Sequence, residues 1–360
     1  MAVLSEDQQL VRDSARDWAA ERAPVAALRR LRDGGSDQGF DPALWREMGE
    51  LGWPGVAVSE AHGGSGLGWA ALGLILAETG RHLTASPLLA HTLATAALEL
   101  GGSEAMKAEW LPRLALGELT AALAVDEGPH HAPDRLSTRF EAGRLDGTKR
   151  FVPDGMAADI LVVAALADGG PALAFATTDA PGLQGAPRRL ADSRGWADIS
   201  LAGVPAEPLG GREVLETVLD RAYALLAAEM LGAATAAFEM TLAYLKTRTQ
   251  FGQLIGGFQA LQHRAAQMFT ELQLAQSCVE AALLAVDADG PDLPALASLA
   301  KARANDVLHR VSNETVQMHG GIGMTDEHDA GLYLKRARTA EALYGGSAFH
   351  RDRYARLNGF

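Results

Sequence analysis

The sequence predicts a mainly α protein with one small β domain in its middle, and three observations carry that prediction. From Glu6 to about Leu116 apolar residues recur three and four apart, the period of helices with one buried face. Between roughly Thr120 and Pro208 the pattern changes to short apolar runs separated by turn residues, as strands require. After Gly210-Gly211 the helical period returns and persists through long segments. The expected domains are 1–118, 119–212 and 213–360.

Within the first segment, Gly34-Gly35-Ser36-Asp37, Gly63-Gly64-Ser65-Gly66 and Gly101-Gly102-Ser103 mark loops between helices. In the second, Ile160-Leu-Val-Val-Ala-Ala, Ala172-Leu-Ala-Phe-Ala and the alternating Ile199-Ser-Leu-Ala-Gly-Val204 read as strands. Asp146-Gly147 reads as a tight hairpin turn, because that dipeptide accepts the positive φ of two-residue turns. In the third, Leu261, Ala265, Met268, Leu272, Ala275 and Val279 alternate spacings of four and three, lining one helix face for a core or a subunit contact. Asp287-Ala-Asp-Gly-Pro-Asp-Leu-Pro breaks the helical run, which resumes from Leu296 to Val316.

With 360 residues, 48% of them hydrophobic, the chain can bury a substantial core. Its net charge of −13, without an isolated basic block, argues against a nucleic-acid partner. The N-terminus has no basic run followed by an apolar core, and no later stretch reads as a membrane span, so a cytoplasmic location is expected. The single cysteine, Cys278, excludes an internal disulfide and reads as a small core residue of a helix. No metal site is expected: Asp126, Glu127, His130, His131 and Asp134 cluster, but adjacent histidines in a proline-containing loop lack helical ligand spacing.

Two stretches carry chemistry. Arg248-Thr-Gln-Phe251-Gly252 sets a guanidinium and an aromatic ring one helical turn apart at a helix terminus, a combination suited to a pyrophosphate beside a stacked heterocycle. Spacing alone also allows a surface arginine and a core phenylalanine. Gln317-Met-His-Gly320-Gly321-Ile-Gly323-Met-Thr325 ends a helix with glycines that let backbone approach a ligand, while Gln317 offers an amide one turn earlier. A glycine triplet alone is usually only a turn.

Together with Phe258-Gln259, these two stretches in this order and spacing resemble the acyl-CoA dehydrogenase family. Leu51-Gly-Trp-Pro-Gly-Val-Ala-Val and Gly63-Gly-Ser-Gly-Leu-Gly are similar to the family's N-terminal helical domain, and Val204-Pro205 to the end of its β domain. The resemblance implies an N-terminal helical domain, a small β-barrel domain and a C-terminal four-helix bundle. It implies FAD at a subunit interface and α,β-dehydrogenation of an acyl-CoA thioester, as in fatty acid or steroid side-chain β-oxidation, with electron-transfer flavoprotein as acceptor. Arg248, Phe251, Phe258, Gln259, Gln317, Gly320, Gly321 and Gly323 match family positions that contact the adenosine diphosphate half of a FAD seated mainly in the neighbouring subunit.

Other matches fail. The family's Thr-Glu-Pro-Gly-x-Gly-Ser-Asp flavin loop is replaced by Val125-Asp126-Glu127-Gly128-Pro129-His130-His131, and its Gly-x-Lys-x-Trp-Thr-Ser run by Gly147-Thr-Lys149-Arg-Phe151-Val152-Pro153. The family's proton-abstracting glutamate aligns with Gly345 in Tyr344-Gly345-Gly346-Ser347, and its alternative position with Ala222, flanked by Arg221 and Tyr223. No catalytic base is assigned; Glu229 and Glu341 read as helix residues satisfied by basic neighbours. The resemblance therefore implies a chain that works with a homologous, non-identical subunit, a hetero-oligomer, rather than only with itself as a homodimer or homotetramer. Two other readings remain: a homo-oligomeric flavin-dependent oxidoreductase or monooxygenase, and a non-catalytic scaffold or acyl-CoA binder.

Overall fold

The structure, a computed structural model, describes residues 4–360. The reading of the start of the chain as leaderless falls partly on Met1–Val3, outside the described residues. Helices come first: α1 (Glu6–Arg22), α2 (Val25–Gly34), α3 (Pro42–Glu50), α4 (Trp69–Arg81), α5 (Leu88–Gly101) and α6 (Glu104–Ala115). Local signals set several of their starts. Ser5 and Gln8 form a capping box on α1, Asp41 caps α3 with Pro42 in its first turn, and Ser103 accepts from the Met106 N–H of α6.

Eight strands follow: β1 (Ala121–Ala124), β2 (Arg139–Glu141), β3 (Arg144–Pro153), β4 (Ile160–Ala167), β5 (Gly170–Thr177), β6 (Leu183–Pro187), β7 (Trp196–Pro205) and β8 (Glu207–Pro208). The remainder is α7 (Arg212–Thr247), a small hairpin of β9 (Thr249–Gln250) and β10 (Gln253–Leu254), then α8 (Gln259–Ala288), α9 (Leu293–His319), α10 (Ala330–Ala342) and α11 (Ser347–Leu357).

The chain forms two compact units. One holds the residues up to Ala27, Gly73–Thr84 and Tyr223–Phe360; the other holds Leu28–Leu72 and Ala85–Ala222. The second unit is built on the sheet, ordered β6-β7-β3-β2-β4-β5-β8, with β1 added parallel to β4. The apolar run of β4 is explained by its place: it pairs with β1, β2 and β5, and its first six residues are buried. Leu145, Val152, Leu161, Val163, Ile199, Leu201 and Val204 share one core.

The expected turn at Asp146-Gly147 is not there. The hairpin turns at Ala142-Gly143, both at positive φ (48° and 72°), while Asp146 and Gly147 lie inside β3 opposite Ala202 and Leu201. Gly147 is needed for a different reason. At φ 149° its missing Cβ would lie 2.6 Å from Thr138 Oγ1, so the glycine admits close approach rather than reversal. Asp146 meanwhile accepts the Gly203 N–H at 2.7 Å, at the irregularity between β3 and β7.

In the first unit the predicted face of α8 is buried at Ala265, Met268, Leu272, Ala275 and Val279, with Leu261 half-buried. Cys278 departs from its expected place: it is only half-buried, beside the buried Val279, and burial pushes its thiol up. α7 also corrects the reading of the chain as free of span-length segments. It is long and apolar enough to cross a membrane, but 67% of its apolar window is buried inside the fold, as in a core helix.

Helices α4 and α7 meet backbone to backbone. A Cβ on Gly80 would lie 2.2 Å from the Glu229 carbonyl oxygen, and one on Gly232 would lie 1.9 Å from the Ala77 oxygen. Gly232→Ala is therefore expected to cost about 1–3 kcal/mol by overpacking. Gly331→Ala, where nothing lies within 4 Å of the new methyl, is expected to be neutral or slightly stabilising. Urea midpoints of the two variants compare them directly.

Candidate functional site

The hairpin, not a helix, carries the first motif. α7 ends at Thr247, and Phe251 and Gly252 sit at the hairpin tip with φ of 54° and 79°. The turn thus takes two adjacent left-handed residues, which the sequence reading as one helical turn did not anticipate. Two backbone bonds hold its base: Arg248 N–H donates to Tyr244 O, and Ile255 N–H to Arg248 O, each at 2.9 Å. Phe251 is 91% exposed, touching the edge of the Phe258 ring at 6.1 Å between centroids.

The second motif stands at the same end of the unit. Polar ties pair α8 and α9 antiparallel: Arg264 with Glu314, Arg310 Nη2 donating to Gln267 at 3.0 Å, and Arg303 with Glu271. That register brings Gln317, in the last turn of α9, alongside the first turn of α8, where Phe258 caps and Gln259 begins the helix. α9 stops at His319; Gly320, at φ 64°, opens a 3-10 turn to Met324. Gly320 and Gly321 have no atom within 4 Å of a would-be Cβ, whereas Gly323 packs 2.6 Å from Val316 O.

This end is built to face outward. Arg248, Gln259, Gln317, Gly320 and Gly321 are exposed, and the side chains of Arg248, Gln259 and Gln317 have no hydrogen bond or ion pair among the described residues. Phe251, Leu254 (48%), Ile322 (43%) and Met324 (79%) add exposed apolar surface beside them. A guanidinium, two amides and open glycine backbone among apolar groups can grip a phosphate-bearing aromatic ligand.

The segment that aligns with the family's glutamate position is closed. Between α10 and α11, Tyr344 and Gly345 adopt φ of 54° and 102°. A Cβ on Gly345 would lie 2.6 Å from Phe349 Cδ1 and 3.0 Å from His350 Nε2. The fully buried His350 sits 2.9 Å from Tyr344 O and edge-on to Tyr223 at 4.6 Å. The other aligned position, Ala222, is fully buried in α7.

Nearby carboxylates are engaged. Arg336 donates to Glu229 at 2.9 Å within a buried pair, Glu341 meets Arg338 and His309 at 3.1 Å each, and Asp306 accepts from Ser347 Oγ at 2.8 Å. The reading of Glu229 and Glu341 as satisfied by basic neighbours agrees with these contacts.

Sequence reasoning missed Lys301. It is fully buried without a carboxylate partner, donating to Asn305 Oδ1 at 2.6 Å, Ala340 O at 3.1 Å and Gly345 O at 3.2 Å. The signal was available: Lys301 falls in the α9 core series Ala297, Lys301, Ala304, Leu308, Val311, all buried. Burial lowers its ammonium from 10.5 to about 7.

The loop aligned with the family's flavin loop is also self-contained. Glu127 accepts from Lys149 Nζ at 2.7 Å, Thr138 N at 2.9 Å and Ser137 N at 2.7 Å. Burial alone would raise its carboxyl, but the Lys149 charge and these hydrogen bonds hold it at about 2. Lys149 is itself fully buried and also donates to Val125 O at 2.9 Å.

Two family profiles match the chain: "Acyl-CoA dehydrogenase, N-terminal domain" over residues 5–118 and "Acyl-CoA dehydrogenase, C-terminal domain" over residues 210–357. The chain belongs to the acyl-CoA dehydrogenase family. Among its curated relatives, acyl-CoA dehydrogenase IpdE2 of Mycobacterium tuberculosis is 32% identical over 94% of this chain and 93% of the relative. FadE34 of the same organism is 34% identical over 96% of this chain but only 47% of its own length. Among solved structures, a variant of the Tcur3481-Tcur3483 steroid ACAD superposes with a TM-score of 0.92 at 31% identity, covering 98% of each chain. The ChsE4-ChsE5 complex from Mycobacterium tuberculosis does so with 0.91 at 26%, covering all of each chain.

Gly345→Glu is expected to cost about 1–3 kcal/mol by overpacking and to restore no activity to the isolated chain; a stable variant that turns over acyl-CoA would contradict the closed turn. Lys301 gives a second test. Between about 7 and 10.5 the unfolded chain holds a proton that the folded chain lacks, so stability from this group rises with pH across that window and is flat below it. Urea midpoints should climb from pH 7 to 9.5 more steeply in the wild type than in Lys301→Met; equal slopes would reject this assignment.

Proposed function

We propose that this chain is the base-lacking member of a two-chain acyl-CoA dehydrogenase that oxidises the α,β bond of an acyl-CoA thioester. The observation that carries the reading is the outward arm: the Arg248 side chain has no hydrogen bond or ion pair among the described residues, and Phe251 is 91% exposed, in contact with the Phe258 ring. An exposed guanidinium and aromatic ring at a hairpin tip gain their value only against something outside the chain. Arg248, Phe251, Phe258, Gln259, Gln317, Gly320, Gly321 and Gly323 would hold the adenosine diphosphate half of FAD. The donor set fits: cationic and amide donors for phosphates, open glycines for close approach, and a ring for stacking.

FAD would supply the acceptor for the hydride leaving Cβ, passing electrons on to electron-transfer flavoprotein. This chain's contribution is binding and orientation. Abstraction of the Cα proton falls to the partner, because Gly345 and Ala222 carry no acid and the nearby Glu229, Glu341 and Asp306 are engaged. Arg248 would set a charge for the phosphates and Phe251 would cover apolar surface, together excluding water from that end of the site. The names of two solved relatives, Tcur3481-Tcur3483 and ChsE4-ChsE5, each join two components, which supports pairing with a homologous, non-identical subunit. The steroid named in the former favours a bulky acyl group over a short one. The domain division at 118 and 212 and a cytoplasmic location belong to this same reading.

Co-expression with a homologous chain should yield one FAD per unlike pair and activity only in the pair. Full flavin occupancy with turnover by this chain alone would overturn the reading in favour of a self-sufficient oxidoreductase, and absence of flavin from every combination would favour a scaffold. In the pair, Arg248→Ala should weaken FAD binding on the order of tenfold or more, a loss of about 1.4 kcal/mol, read by flavin fluorescence during dilution.

A further inference from the structure

Three rings join the two motifs of the arm. Tyr244 near the end of α7, His319 at the end of α9 and His328 before α10 stack in a column, with 4.4 Å between the Tyr244 and His319 centroids and 4.3 Å between those of His319 and His328. Each ring belongs to backbone on which the arm is built. The Tyr244 carbonyl accepts the Arg248 N–H at the base of the hairpin, His319 directly precedes the glycine turn, and His328 Nδ1 accepts the Ala330 N–H at the start of α10. All of these residues lie in one unit of the chain. The middle ring is the sensitive one. His319 is 3% exposed, its Nδ1–H donates to Thr315 O at 2.7 Å, and its Nε2 has no partner among the described residues. The Thr315 bond fixes the tautomer, so a second proton can go only to Nε2, where it would be buried without an acceptor.

Little around His319 would welcome that charge. On α7 the ring meets Tyr244, with Lys246 and Arg248 exposed beyond it, and the 3-10 turn has no titratable residue. The loop before α10 supplies His328, flanked in sequence by Asp326, Glu327 and Asp329, which are engaged in interactions of their own. α8 carries the exposed His263 and Arg264, the latter paired with Glu314, and α10 carries the exposed Lys335 and Arg336, the latter paired with Glu229. Burial, outweighing the bond to Thr315, holds the His319 imidazole below its ordinary 6.5, and His328 lowers it further. Stability from this group is therefore present above 6.5 and lost as pH falls toward the depressed folded value. We propose that His319 is an acid-sensitive latch on the arm: neutral, it holds the hairpin base and the glycine turn in one column; protonated, it leaves the column for water and the hairpin loosens. That the arm's ligand is FAD rests on the function proposed above, whereas the latch belongs to this chain alone and is tested without flavin or partner.

Native-state hydrogen exchange of the purified full chain, corrected for the intrinsic effect of pH, tests it. Between about pH 7.5 and about pH 5.5, protection of the Arg248 and Ile255 amides, both bonded within the hairpin base, should fall roughly threefold or more, while amides of β4 keep theirs. His319→Phe keeps an aromatic ring that cannot titrate, so its hairpin protection should be the same at both pH values. His319→Gln, which can still donate to Thr315 O, is a second variant that cannot titrate, and thermal melting at neutral pH identifies which of the two stays folded. Unchanged hairpin protection in the wild type, an equal fall in β4, or a fall that persists in a folded His319 variant overturns the proposal. A fall confined to the wild-type hairpin supports it even if no pairing of chains binds flavin, so the two readings fail separately.

Discussion

The closed turn from Tyr344 to Gly346 is the constraint on which the functional account rests. Three things close it together: a left-handed backbone at Tyr344 and Gly345, the Phe349 and His350 rings packed where a Gly345 side chain would start, and the Lys301 ammonium donating to the Gly345 carbonyl. A buried ammonium facing only neutral acceptors is a costly arrangement, and burial accordingly lowers its pKa. The turn is therefore not a glutamate site that has merely lost its side chain. Its neighbours fill the space, and its backbone is fixed to a helix core.

The arm is the opposite kind of structure. Where the turn is satisfied from within, the β9–β10 hairpin and the 3-10 turn after α9 leave their polar and aromatic groups outward. The antiparallel ties between α8 and α9 bring two motifs far apart in sequence to the same end of the unit. The loop of the sheet-bearing unit follows the logic of the turn: Glu127 and Lys149 satisfy one another, so the acid is no longer available to a ligand. A chain with one outward-facing grip and a self-satisfied interior suits division of labour between two subunits.

Much of this was legible in the sequence because periodicity reports burial. The α8 face, the continuous apolar run of β4 and the break before α9 all follow from side chains repeating at the period of their element. The misreadings share a cause. Asp146-Gly147 has the chemistry of a turn, but Ala142-Gly143 makes the reversal, since the pairing of β2 with β3 decides where the chain turns. Arg248 to Phe251 looked helical for the same reason that Phe251 is unusual: an aromatic at positive φ is a tertiary outcome with no local signal. Cys278 follows a periodic position too loosely to be core. Lys301 was readable as a charge in phase with apolar neighbours, but its acceptors come from α9, α10 and the turn beyond, which no local pattern connects.

The glycine at the aligned position was visible in the sequence, whereas only the structure shows that the nearby Glu229, Glu341 and Asp306 are each held by other groups. Exchange of the Cα protons of an acyl-CoA in heavy water, followed by proton NMR, tests this step apart from flavin binding and electron transfer. The isolated chain should leave those protons at the solvent-catalysed rate, with exchange accelerating only when the homologous partner is added. Rapid exchange by this chain alone would mean that it carries its own base.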